Sequence, residues 1–204
     1  MAAGSGCAGT RSCEGPAARG RLRYRWRVFI ALVASCAVGV VFPAALVVMG
    51  LRYNDTPSAP LGWYWRRPVS ASGPALGDFV AVCPPAWVTP LRFPFYERGH
   101  GDDRCPGGGE PLVKRIAAVP GDTVVETAAG VQVNGRALPL SAPMPASPVT
   151  GIRLPWATGR WALARGEYWL YGPGAAPGWA RYSFDSRYFG PVPRTAIRGV
   201  LVRF

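Results

Sequence analysis

The chain has 204 residues, 49% of them apolar, and carries a net charge of +12, with 22 arginines and a single lysine making up its 23 basic residues. Its 26 glycines and 22 prolines argue against a bundle of long helices. The charge is dispersed, +5 before residue 28 and the remainder scattered from Arg52 to Arg203, and no nucleic-acid motif is recognisable, so no nucleic-acid partner is expected.

In chain order, residues 1–20 are rich in Gly and Ala and are expected to be disordered. With the arginines up to Arg27 they make a basic tail, 1–27. Val28–Met49 is a run of 22 residues without a charge. At about 1.5 Å per residue it reaches roughly 33 Å, enough to cross a bilayer core. It is too long for a cleaved signal peptide and no small-x-small site closes it. An uncleaved anchor is therefore expected over 28–51. Five arginines between residues 19 and 27 place the N-terminus in the cytoplasm. Residues 52–204 then form one extracytoplasmic domain.

Within that domain, 52–65 reads as a loop entering a strand, and "GDFVAVCPP" (77–85) as a strand closed by prolines. Residues 86–111 read as an irregular excursion. "LVKRIAAV" ends at the turn Pro120-Gly121-Asp122. "TVVET" and "VQVNGRAL" flank Gly130 as a hairpin, and Asn134-Gly135 begins another tight turn. Residues 139–160 form a Pro-rich loop, "EYWLYG" (167–172) a short strand, and "IRGVLVRF" (197–204) a closing strand. The domain is expected to be mainly β, with short strands and long loops. Trp63, Tyr64 and Trp65 suit either the membrane interface or the core. Cys83 and Cys105 are the only cysteines on the extracytoplasmic side, where a disulfide forms readily; the sequence does not decide whether they are joined. Neither their spacing nor the single His100 suits a metal site, and no cofactor is expected.

Chemistry rests on few candidates. His100 lies in a glycine-flanked polar loop and reads as solvated. Lys114 is different: arginine cannot deprotonate, whereas burial can drive lysine to the neutral amine. On a strand, Lys114 shares a face with Leu112 and Ile116, while Arg115 points the other way. A neutral lysine on an apolar face can accept a serine's proton without any histidine.

"SAPLGWY" (58–64), "LVKRIAAVPGD" (112–122) and "RYSFDSRYFGPV" (181–192) resemble, in order, the boxes of the type I signal peptidases, membrane-anchored Ser–Lys proteases. The short form of the first box, with Asn54 and Thr56 ahead of it and the surroundings of Cys83 and Cys105, is similar to the conjugative-transfer TraF-type branch. The resemblance implies a signal-peptidase-like β domain after one N-terminal transmembrane helix in a bacterial inner membrane. It implies Ser58 as nucleophile, Lys114 as general base, and Thr56 with the Ser58 N–H as oxyanion donors. Ser183 would orient the lysine, and Asp185 with Arg187 would support the site as an ion pair. The "GDN" usual before the last box is absent. The implied activity is cleavage of a leader from a membrane-bound preprotein, a propilin of a conjugation system in this branch, with acyl transfer to an amine as a route to cyclisation. Partners would then be the lipid bilayer, the propilin and components of conjugation or type IV secretion. Two alternatives stand beside it: a general signal peptidase for secreted preproteins, and a catalytically silent, disulfide-stapled part of a conjugation channel.

Overall fold

The computed structural model describes residues 16–100, 103–156 and 158–204. The chain divides into two compact units, residues 1–49 and 50–204. The first contains helix α1, Pro16–Val48. Within it, Tyr24–Val48 is long and apolar enough to cross a membrane, and none of its most apolar stretch is buried. The helix begins twelve residues before the apolar run, so the expected disorder does not hold for residues 16–20; residues 1–15 lie outside the described residues. Ala, Arg and Leu are strong helix formers, and proline is tolerated in the first turn.

The second unit is mainly β, as the sequence indicates. Its strands are β1 (Leu51–Asn54), β2 (Gly62–Arg67), β3 (Phe79–Val82), β4 (Leu112–Ala118), β5 (Thr123–Thr127), β6 (Gly130–Val133), β7 (Arg136–Ala137), β8 (Gly159–Ala162), β9 (Glu167–Tyr171), β10 (Val192–Pro193) and β11 (Ile197–Arg203). One sheet runs β1-β2-β11-β3-β4-β9-β10 and a second β7-β6-β5-β8, and these strands pair antiparallel throughout. The short helix α2, Ser186–Phe189, and a 3-10 turn at Trp179–Tyr182 complete the frame.

Two strands depart from the sequence reading. Leu51, expected at the end of the anchor, and residues 52–54, expected as loop, form a strand that pairs with β2 in register Leu51 to Trp65 through Asn54 to Gly62. β8, read as the end of a Pro-rich loop, pairs with β5. The expected hairpins form, with Asn134 and Gly135 at φ +49° and +78°, the left-handed values that two-residue turns require.

Val80, Val82, Ile116 and Leu170 pack on one side of the large sheet. Val124, Val131 and Trp169 fill a second cluster with residues of the smaller sheet. Val88, Phe93 and Tyr96 of the irregular excursion pack with Phe184 and Tyr188. That excursion is tied down twice more. Cys83 and Cys105 form a disulfide with Cα atoms 5.4 Å apart. Asp103 bridges Arg52 of β1 and Arg66 of β2. Burial works against the Asp103 charge, but the two guanidiniums hold its carboxyl below the usual range.

Candidate active site

β4 alternates as the sequence suggests: Lys114 and Ile116 are buried, at 2% and 0% exposure, whereas Arg115 is exposed. Val80 of β3 lies opposite Lys114. Burial pushes the amine down to about 8, with Asp185 pulling it back up and Arg187 pushing it further down. At pH 7 an amine at that value is neutral in roughly a tenth of molecules, against about three in ten thousand for an ordinary lysine. The lysine is thus available as a proton acceptor at neutral pH.

Ser58 lies half-buried in the loop between β1 and β2, and that loop is organised by Asn54. The Asn54 side chain, itself buried, donates to the carbonyls of Thr56 (3.1 Å), Ala59 (3.3 Å) and Pro60 (3.0 Å). The Tyr64 hydroxyl donates to Pro60 O at 2.7 Å, a second tie on the same carbonyl. Thr56 donates its hydroxyl proton to Asn54 Oδ1 at 2.7 Å. A hydroxyl has one proton, so Thr56 serves an oxyanion only by turning away from Asn54.

The far wall of the loop is the segment after β9. Gly174 N–H donates to Ser58 O at 3.1 Å and Ala175 N–H to Pro57 O at 2.8 Å. The β4–β9 ladder pairs Arg115, the residue after Lys114, with Tyr171, the residue before Gly172. A methyl built on Gly172 would fall 1.8 Å from Ser183 Oγ and 2.9 Å from Ser58 O. Gly172 is therefore where the Ser58 loop and Ser183 meet. Ser183 is buried and its Oγ has no hydrogen-bond partner among the described residues, which leaves it open to an amine donor.

Asp185 and Arg187 are both fully buried and mutually satisfied. Arg187 Nε donates to Asp185 Oδ1 at 2.8 Å and Nη2 to Oδ2 at 2.9 Å. The same carboxylate accepts from Gly172 N–H at 2.8 Å and caps α2 through Arg187 N–H. Arg187 Nη2 also donates to Ala180 O and Ser183 O. This pair holds both Gly172 and Ser183 in place, while standing close enough to tune Lys114 electrostatically.

Gly172 thus joins the Ser58 loop to Ser183 and, through its N–H, to the Asp185–Arg187 pair, which acts electrostatically on Lys114, while Thr56 lies in the same loop as Ser58 and bonds Asn54. His100 stands apart, exposed beside Glu110. Among the described residues no three His, Cys, Asp or Glu side chains converge as metal ligands would. Trp63 is half exposed, Tyr64 is buried, and Trp65 is intermediate, so the aromatic stretch serves both core and surface. Sequence reasoning missed Gly172 and the organising role of Asn54. A glycine ending a strand is a signal for close backbone approach. An Asn two residues before Thr56 offers an Asx-type local bond.

The chain is similar in sequence to known proteins. The family model "Signal peptidase, peptidase S26" matches residues 21–204. The plasmid transfer protein TraF of Escherichia coli is 34% identical over 177 residues, spanning 86% of this chain and 93% of that one. The conjugal transfer protein TraF of Agrobacterium tumefaciens is 34% identical over 178 residues, again 86% and 93%. Signal peptidase I V of Bacillus subtilis is 33% identical over 97 residues, 44% of this chain and 55% of that one.

Proposed function

The chain belongs to the signal peptidase S26 family, and from that premise we propose a membrane-anchored Ser–Lys endopeptidase that processes a conjugative pilin precursor. Ser58 Oγ bonds to the scissile carbonyl carbon while its proton passes to neutral Lys114 Nζ. The oxyanion is met by the Ser58 N–H and by the Thr56 hydroxyl once that turns from Asn54. Lys114 returns the proton to the leaving nitrogen as the C–N bond breaks, leaving an acyl-serine. Water then attacks with Lys114 as base, giving a carboxylate and restoring Ser58. An amine held in place of water gives an amide instead, the route to a cyclic product.

The observation that carries this reading is the sole lysine, buried on β4 under the charge of Asp185, the same carboxylate that holds Gly172 against Ser183 and the Ser58 carbonyl. Similarity to TraF proteins along most of the chain supports a conjugation substrate. The basic residues before the apolar run and the Cys83–Cys105 disulfide support a cytoplasmic N-terminus, an anchor within α1 and an extracytoplasmic catalytic domain from β1 onward. The preprotein, the bilayer and conjugation or type IV secretion components are then the partners.

The test compares intact masses of small membrane and extracytoplasmic proteins in cells carrying wild-type protein or Ser58→Ala. A precursor accumulating in the variant is the expected result. A wild-type product one water lighter than the linear fragment identifies cyclisation, and many altered proteins identify a general signal peptidase. Unchanged masses, with both variants inserted and a conjugation system present, overturn the peptidase reading.

A further inference from the structure

Beyond the segment that clamps the Ser58 loop lies an open groove of about 680 Å³. Its walls come from β4, the β6–β7 turn, residues 138–140 and residues 173–180. Much of the lining is apolar, including Leu76, Leu138 and Leu140; Arg115, Arg136 and Asp122 carry its charge. Asp122 spends both carboxylate oxygens inside the wall, on the Val119 N–H and the Asn134 amide. Arg115 and Arg136 are exposed and take part in no ion pair among the described residues. The groove therefore carries two guanidiniums against the single Asp122 carboxylate, a net positive charge beside apolar lining, which suits carboxylates on an apolar ligand.

One further feature selects a peptide. β7 is an edge strand, paired with β6 alone, so its outer backbone groups are open to an extended chain. Leu140, at the rim, sits at φ +50°, a region a bulky residue rarely adopts. It is 44% exposed, and its carbonyl accepts from Arg187 Nη1 at 3.3 Å. The rim is thus tied to the same arginine that braces Asp185 and Gly172.

We propose that this groove is an exosite for an extended apolar peptide segment bearing acidic side chains, a part of the substrate lying outside the residues at the cut. The assignment of that segment to the substrate rests on the peptidase reading. The groove's ligand class does not, because it follows from Arg115, Arg136 and the β7 edge.

The test uses full-length protein carrying Ser58→Ala in detergent micelles. Fluorescence anisotropy follows fluorescein-labelled Leu-Asp-Ala-Leu-Glu-Leu and its Asn/Gln counterpart. The acidic peptide is expected to bind roughly tenfold tighter, with an advantage that shrinks as salt rises. Arg115→Gln with Arg136→Gln should abolish that advantage, whereas Arg115→Lys with Arg136→Lys should keep most of it. Equal binding of the two peptides overturns the proposal, as does a preference that survives the Gln pair. So does capture of phosphatidylglycerol micelles through these arginines with the peptide ignored. Precursors unchanged by Ser58→Ala, with the acidic peptide still bound, overturn the peptidase reading and leave the ligand class intact. Normal processing without peptide preference does the reverse.

Discussion

At the scale of single residues, Lys114 has two opposed demands on it. Burial lowers its affinity for a proton, while the Asp185 carboxylate raises it. The balance at about 8 makes the neutral amine scarce in acid, so kcat/KM should climb about tenfold per pH unit up to that value and level off above it. A pH–rate profile checks this; a flat profile from pH 6 to 9 would remove Lys114 from the chemistry. Lys114→Arg keeps the charge but cannot yield a base, and should lower kcat/KM by about a thousandfold or more. Gly172 makes a steric prediction. A methyl there meets Ser183 Oγ at 1.8 Å, so Gly172→Ala must displace Ser183 or the Ser58 loop. A loss of about 1–3 kcal/mol in denaturant unfolding is expected, together with lost activity. Of these two residues only the lysine stood out in the sequence. Its alternating neighbours revealed the buried face, whereas the role of Gly172 depends on contacts with residues far away in the chain.

Among the elements, the excursion between β3 and β4 depends most on ties from outside itself. Its aromatic cluster, the Cys83–Cys105 bond and the Asp103 bridge to β1 and β2 fix a stretch with little regular structure. The bond spans 22 positions, and losing a cross-link over a loop of that size typically costs about 3 kcal/mol. Cys83→Ala with Cys105→Ala should therefore lower Tm by about 6–12 °C, measured by circular dichroism. No change would mean that the aromatic cluster and Asp103 suffice. Strands with strong alternation or turn glycines at their ends were legible in the sequence: β3, β4, β5, β6, β9 and β11. β1 was not, because "LRYN" is four residues of mixed character whose strand state comes from pairing with β2. β8 was hidden behind prolines and is likewise specified by its partner.

For the whole molecule, one buried acid carries a pH dependence of folding. Glu126 on β5 is 2% exposed and its Oε1 has no partner among the described residues. Burial raises its carboxyl from 4.5 to about 8, with Asp185 adding to the rise and Arg187 opposing it. The folded state then holds a proton that the unfolded chain has released, so stability declines as pH rises between those values. Glu126→Gln should raise Tm at pH 9 by about 5 °C, a gain of order 2 kcal/mol, and change it little at pH 4. Equal shifts at both pH values would assign the effect to packing. The one lysine has a consequence of another kind. A lysine-specific endoprotease finds a single target bond in this chain, Lys114–Arg115, inside the fifth strand of a seven-stranded sheet. It is cut only when that sheet comes apart, so one proteolytic nick, seen on a gel, reports the opening of the domain without any label.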